Sequence, residues 1–319
     1  MNFIPFTKIK KVDKKHLVVS GCSFTQSDGT WPYHLEDEYW VHNVGSTGAG
    51  NSYIGRSVIY EVSKLLKEDY IDSDTLSVVI MWSGIDRKEF LSTKKENPLH
   101  PIYIDGPHKN WLGNFINENQ YDKSAWLKSS ISRMPWDNKD VTKFFEMYWT
   151  HFYSEEESLV NTLESIQRTQ MYLESVGVKY VMMSWQNIFN DYKFIVPEEF
   201  PQRGAELYQH EIWWMAWLDN KQWSPDRYWP ESVKEKISKD TPLLKDIYLN
   251  ATHLWDLIDW DKWWFYEDDQ VEYGGLAEWV CLKEKDPYGN GYEDPGHPSP
   301  SSHNKFANKI VRKLLNREI

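Results

Sequence analysis

Long apolar runs are missing from this sequence. Nowhere do its 319 residues approach the roughly 18 consecutive apolar residues of a membrane-spanning helix, so no membrane span is expected. The opening residues Met1 to Lys11 lack an apolar stretch of signal-peptide length. A protein made and kept in the cytoplasm is therefore expected, unless it leaves by assembly into a particle or by lysis. Cysteine is scarce. Cys22 and Cys281 stand far apart and read as reduced thiols, not a disulfide framework. Positive charge is in deficit, with 36 Lys and Arg against 48 Asp and Glu and a net charge of −12. That balance argues against a broad nucleic-acid surface. Metal-ligand spacing is absent as well. His16, His34, His42, His108, His151, His210 and His253 are scattered, and His297 and His303 have no evident third ligand. Asp256, Asp259 and Asp261 lack the ligand pattern of a calcium loop and read as a solvated turn. No metal and no other cofactor is expected.

What the chain has in abundance is aromatic side chains, 18 Trp and 19 Tyr. Most are expected to fill the core and anchor loops. A few would form a face that meets sugar rings or a partner protein. Hydrophobic residues make up 40% of the chain, enough for a substantial core.

The organising stretch is Val18-Val19-Ser20-Gly21-Cys22-Ser23-Phe24-Thr25, a β-branched run that stops at Gly-x-Ser. It reads as a buried parallel strand ending in a tight turn, with a hydroxyl at the carboxyl edge where open α/β sheets place their chemistry. A helix start at Trp31-Pro32 follows, then a second strand from Tyr39 to Val44 and a small-residue loop from Gly45 to Asn51. A helix from Ser52 to Lys67 has Ile54, Val58, Ile59, Val62 and Leu65 at spacings of three and four. The third strand is Asp74 to Trp82, running into Ser83-Gly84-Ile85-Asp86-Arg87. A helix from about Thr142 to Val176, stopped by Gly177, precedes a fourth strand from Val178 to Trp185. Residues 90–140 and 186–250 break the pattern and read as irregular insertions, the second holding Trp213, Trp214, Trp217, Trp223 and Trp229. An amphipathic helix from Ser302 to Leu315 closes the chain, with Lys305, Lys309, Arg312 and Lys313 on a solvated face. The repeated strand–loop–helix order predicts one α/β domain over 1–319 with a doubly wound, mostly parallel sheet.

Near the end stands Asp294-Pro295-Gly296-His297-Pro298-Ser299. An Asp three residues before a His, in a Pro/Gly loop, can fold back so that the carboxylate orients the imidazole. An imidazole so held can take a serine proton. With Gly21-Cys22-Ser23 at the first strand, this constellation resembles the SGNH (GDSL-type) hydrolases. Gly21-Cys22-Ser23 matches their first block, Asn43-Val44-Gly45-Ser46-Thr47-Gly48 their second, and Asp294 and His297 their last, over about 17–90, 178–186 and 290–315. A divergent, bacteriophage-encoded branch is suggested by Gly21-Cys22-Ser23-Phe24-Thr25, Trp82-Ser83-Gly84-Ile85-Asp86-Arg87 and the Trp-rich middle. A phage origin would make the protein virion-associated.

The resemblance implies a flavodoxin-like three-layer α/β/α fold and a triad of Ser23, His297 and Asp294. It also implies an oxyanion hole from the amides of Ser23 and Gly48. Two departures stand out. Cys22 replaces the Asp of the first block, a side chain that is not the nucleophile, and it is expected to pack inward. The third block, Gly-x-Asn-Asp in the family, has no Asn here. Losing one such donor typically costs about 100- to 1,000-fold in rate. Ser83, Asn51 or Arg87 are the candidates to stand in. Asp86, Arg87, Trp82 and Trp185 are the candidates to touch substrate. The expected activity is removal of acetyl or another short acyl group from a carbohydrate or small-molecule ester. The alternatives are a non-catalytic glycan-binding or virion-associated module on the same fold and a sugar O-acyltransferase.

Overall fold

A computed structural model of the chain describes residues 14–26, 28–68, 71–92, 125–130, 139–190, 242–269, 271–284 and 297–316. Six strands appear in chain order: β1 (Lys15–Ser20), β2 (Tyr39–Asn43), β3 (Leu76–Trp82), β4 (Arg87–Ser92), β5 (Ala125–Ser130) and β6 (Lys179–Ser184). Four of them form one parallel sheet in the order β2-β1-β3-β6. Val18 pairs with His42 on one side and Val78 on the other, and Val79 continues to Val181. This is the flavodoxin-like order for four strands. The sheet is flanked by helices on both faces, as the alternation of strand and helix signals predicts.

Alternation along the strands sorts the core. Leu17, Val19, Val79, Met81, Val181 and Met183 face one layer, with Phe306, Ala307 and Val311 of the terminal helix. Val18, Val78, Ile80, Trp82, Tyr180 and Met182 face the other, against α2 (Asn51–Leu65) and the later helix Glu155–Ser175. Both faces are covered, which is why the strands read as continuous apolar runs and not as an alternation.

Two expectations need correction. The helix foreseen over 142–176 is two helices, α3 (Lys139–His151) and α4 (Glu155–Ser175). Between them Ser154 caps α4, its hydroxyl accepting from the Glu157 amide at 3.3 Å, and Glu155, Glu156 and Glu157 fill the first turn. The 90–140 stretch is not wholly irregular, because β4 and β5 pair antiparallel through Arg87–Ser130 and Leu91–Trp126. The basic face of the terminal helix meets solvent as expected and carries ion pairs along it. Lys309 Nζ lies 2.7 Å from Glu284 Oε1, and Arg312 reaches Asp37 at 2.7 Å and Glu38 at 3.0 Å. Lys313 is exposed. Trp213, Trp214, Trp217, Trp223 and Trp229 lie outside the described residues. Among the described residues no helix is long and apolar enough to cross a membrane.

Gly177 ends α4 in a Schellman turn. Its φ is +69°, the Val178 amide donates to Leu173 O at 3.1 Å, and the Gly177 amide donates to Glu174 O at 3.1 Å. This turn sets the start of β6. Gly177→Ala forces a Cβ into the left-handed region, and urea titration should show a loss of about 1–2 kcal/mol. Gly177→Asn should lose less.

Candidate active site

β1 stops at Ser20, and the next residue admits no side chain. A Cβ on Gly21 would collide with Thr25 Oγ1 and lie 2.9 Å from the Met81 carbonyl oxygen of β3. The chain then turns tightly, the amides of Thr25 and Gln26 both donating to Cys22 O at 2.9 and 3.0 Å. This opens the short helix α1 (Ser23–Gln26) with Ser23 at its head. Cys22 points into the core and is fully buried, whereas Ser23 keeps a small exposed edge. β2 and β3 lie on opposite sides of β1, so the carboxyl edge between β1 and β3 is the topological switch point where such sheets bind ligands.

The loop after β2 is laced onto this turn. Ser46 N donates to Gly21 O at 2.8 Å, and Asn43 Nδ2 donates to Thr25 O at 2.7 Å. Gly45 N donates to Asn43 Oδ1 at 3.0 Å, Thr47 N to Gln26 Oε1 at 2.9 Å and Ala49 N to Ser46 O at 2.9 Å. Of the amides from Gly45 to Ala49, that of Gly48 alone has no acceptor among the described residues. Gly48 also takes a φ of +72°. Gly48 thus leaves an N–H uncommitted, among the described residues, on a loop tied to the turn that carries Ser23.

Beyond β3, Asn51 at the start of α2 is fully committed. Its Oδ1 accepts from Ser83 N at 2.7 Å, while Nδ2 donates to Ser83 O at 2.9 Å and Thr162 Oγ1 at 3.1 Å. With both amide protons engaged, Asn51 holds the strand end and has no donor to spare for an oxyanion. Ser83, in contrast, is buried with a hydroxyl that finds no partner among the described residues. Trp82 is fully buried on the α2 face and presents nothing to a ligand, contrary to its place among the substrate-binding candidates. Asp86 is buried at the turn, its carboxylate folded over Gly84.

His297 enters from the other end of the chain. Its Nε2 lies 2.7 Å from Ser23 Oγ across 274 positions of sequence. Phe24 supports it from the side, with ring centroids 4.8 Å apart, and packs on Trp185 at 4.6 Å. Nothing in the local sequence signals this role for Phe24, because its neighbours are remote in sequence. Trp185 is fixed in turn by the Ala277 amide, which donates to its carbonyl at 2.7 Å. The buried Glu278 accepts from Asn187 N at 3.0 Å and Gly275 N at 2.8 Å, and burial pushes its carboxyl up. Asp294 lies outside the described residues. Among the described residues no group of three or more His, Cys, Asp or Glu is placed to hold a metal ion.

No family model matches the sequence, and no curated protein matches it. Among solved structures, the chain is similar to protein YxiM from Bacillus subtilis at 13% identity and a TM-score of 0.34. That likeness covers 96% of this chain and 57% of the other, so the chain spans little more than half of YxiM's length. A likeness this slight says nothing of activity, which has to come from the side chains.

His303, one helical turn beyond the helix-capping Ser299, is almost wholly buried, 6.5 Å from the Phe24 ring. Burial, with His297 and His34 nearby, lowers its pKa from 6.5 to about 3. The unfolded chain thus takes up this proton below about pH 6.5 and the folded one only near pH 3. Stability is full above pH 6.5 and should fall by up to about 1.4 kcal/mol per pH unit between 6.5 and 3. Urea titrations at pH 7 and 5 should show this loss in the wild type and a smaller one in His303→Phe.

Proposed function

We propose that this chain is a serine ester hydrolase that removes acetyl or another short acyl group from a carbohydrate ester. The observation that carries this reading is the 2.7 Å contact between Ser23 Oγ and His297 Nε2 at the switch point of the sheet. Ser23 Oγ attacks the ester carbonyl and passes its proton to Nε2. The tetrahedral oxyanion is held by the amides of Ser23 and Gly48. The intermediate collapses to an acyl-enzyme, and the departing alcohol takes the proton from His297. Water, deprotonated by the same imidazole, then releases the acid. Asp294 is assigned the remaining place, orienting His297. The carbohydrate half of the reading is supported by the abundance of Trp and Tyr in the chain. A bacteriophage origin remains the implication of the sequence resemblance.

The test is release of p-nitrophenol from its acetate over pH 5 to 9. Wild-type activity should fall on the acid side, where an imidazolium cannot accept the proton, and Ser23→Ala should drop to the buffer rate. Equal rates in the two proteins would favour a non-catalytic glycan-binding module. Acyl transfer to an added sugar in preference to water would favour the acyltransferase.

Of the two uncharged stand-in candidates, Asn51 and Ser83, Ser83 is the one whose side chain is left uncommitted among the described residues. Its backbone is clamped by Asn51 and its hydroxyl is uncommitted among the described residues. Ser83→Ala should lower kcat about 10- to 100-fold with little change in KM, less than the loss of a fully aligned donor.

A further inference from the structure

Arg87 differs from Arg56 and Arg312 in its partners. Arg56 is paired with Glu89 Oε1 at 3.3 Å and Ser52 Oγ at 2.7 Å, and Arg312 holds two carboxylates. Arg87 has no carboxylate among the described residues, and its Nη1 is buried without an acceptor. Its neighbour Asp86 folds back over Gly84 instead. Among the described residues, then, the Arg87 guanidinium meets an aromatic face and no carboxylate. A buried donor left open asks for a ligand to complete it.

A chain of contacts links it to the proposed chemistry. Arg87 opens β4 directly after the turn that follows Ser83, and its carbonyl oxygen lies 2.9 Å from where a Cβ on Gly50 would stand. Its backbone therefore packs on the loop that carries Gly48. The guanidinium rests over Trp185, with Cζ 5.9 Å from the ring centroid. Trp185 packs at a tilt on Phe24, and Phe24 likewise on His297. Two rings separate the cation from the imidazole. The aromatic face orients the guanidinium plane but offers no oxygen to Nη1.

We propose that Arg87 is the anion-binding residue of this site and that the natural ester carries a carboxylate close to its acylated oxygen. This rests on the esterase reading. The carboxylate belongs either to the alcohol, as in an acylated sugar acid, or to the acyl group, as in a half-ester of a dicarboxylic acid. A planar guanidinium fork suits either. A role as the missing oxyanion donor fits less well. The group lies over the residue that follows β6, while Gly48 follows β2 at the other side of the sheet.

Three esters test this on wild type, Arg87→Gln and Arg87→Lys: neutral phenyl acetate, 3-acetoxybenzoate with the charge on the alcohol, and phenyl hemisuccinate with it on the acyl group. Wild type should prefer one charged ester, which identifies the source. In Arg87→Gln that preference, as a ratio of kcat/KM to phenyl acetate, should drop about 10- to 100-fold, mainly through KM. Arg87→Lys should recover part of it. A preference that survives in Arg87→Gln overturns the proposal. So does an equal fall on all three esters, which would mark an oxyanion or purely structural role. Calorimetry separates this from the esterase reading, using the uncleavable amides 3-acetamidobenzoate and N-phenylsuccinamate on Ser23→Ala. Binding that disappears in Ser23→Ala/Arg87→Gln upholds the anion site even if no ester is cleaved. Binding equal in both proteins, or absent from both, overturns it.

Discussion

The parallel pairing of β1 with β3 is the constraint on which the rest depends. It brings the Met81 carbonyl so close to the end of β1 that only glycine fits at position 21. The glycine in turn allows the tight turn that lifts Ser23 to the head of α1, while Cys22 is sent into the core. Because β2 pairs on the other side of β1, the chain leaves the central strand between two loops, not beside one. The carboxyl edge is thereby a crevice, and the amides of Ser46 and Thr47 from the loop after β2 are spent on the turn itself. One small residue thus links backbone register to the exposure of a hydroxyl.

The second partner comes from the far end of the chain and has to be held there. Phe306, Ala307 and Val311 are fully buried against the sheet, and Phe306 meets Trp264 and Trp279 edge-on at 5.3 and 5.4 Å. Burying one such phenylalanine contributes roughly 2–3 kcal/mol. The ion pairs of Arg312 with Asp37 and Glu38 involve well-exposed carboxylates and contribute little stability by comparison. What they fix is direction, tying the terminal helix to the segment that leads into β2. His297 stands ahead of this helix, whose first turn is capped by Ser299 and stiffened by Pro300. The placement of the imidazole is therefore a consequence of core packing, and local loop preferences contribute less.

Local pattern in the sequence was enough for the strands, for α2 and for the stop at Gly177, because burial on both faces leaves continuous apolar runs and a left-handed cap leaves a glycine. The break before α4 was equally legible in Ser154-Glu155-Glu156-Glu157, yet apolar periodicity on both sides masked it. The burial of Trp82 could have been counted: it shares parity with Val78 and Ile80, which face α2. Other features carry no local signal. The packing of Phe24 between His297 and Trp185, the clamp of Asn51 on Ser83 and the docking of Glu278 on the loop after β6 join residues far apart in sequence. They exist only once the sheet order is set, and that order comes from the handedness of crossovers between parallel strands, not from any one segment.

The clamp on Ser83 bears on how such a site could work without the side-chain amide of the resembled family. Asn51 spends its amide on strand geometry, so charge developing on an ester oxygen would meet two backbone donors and at most a hydroxyl. Catalysis then has to draw more on binding away from the reacting carbonyl, since interactions with remote parts of a substrate can be used to orient and strain it. A cation standing on a ring that touches the ring beside the imidazole is well sited for this. It would hold a substrate by a charged group on one side while the turn at Ser23 meets the carbonyl on the other. On this view the weak oxyanion site and the open guanidinium are two halves of one arrangement: selectivity for an anionic ester supplies, through orientation, part of what the absent amide would have supplied through charge.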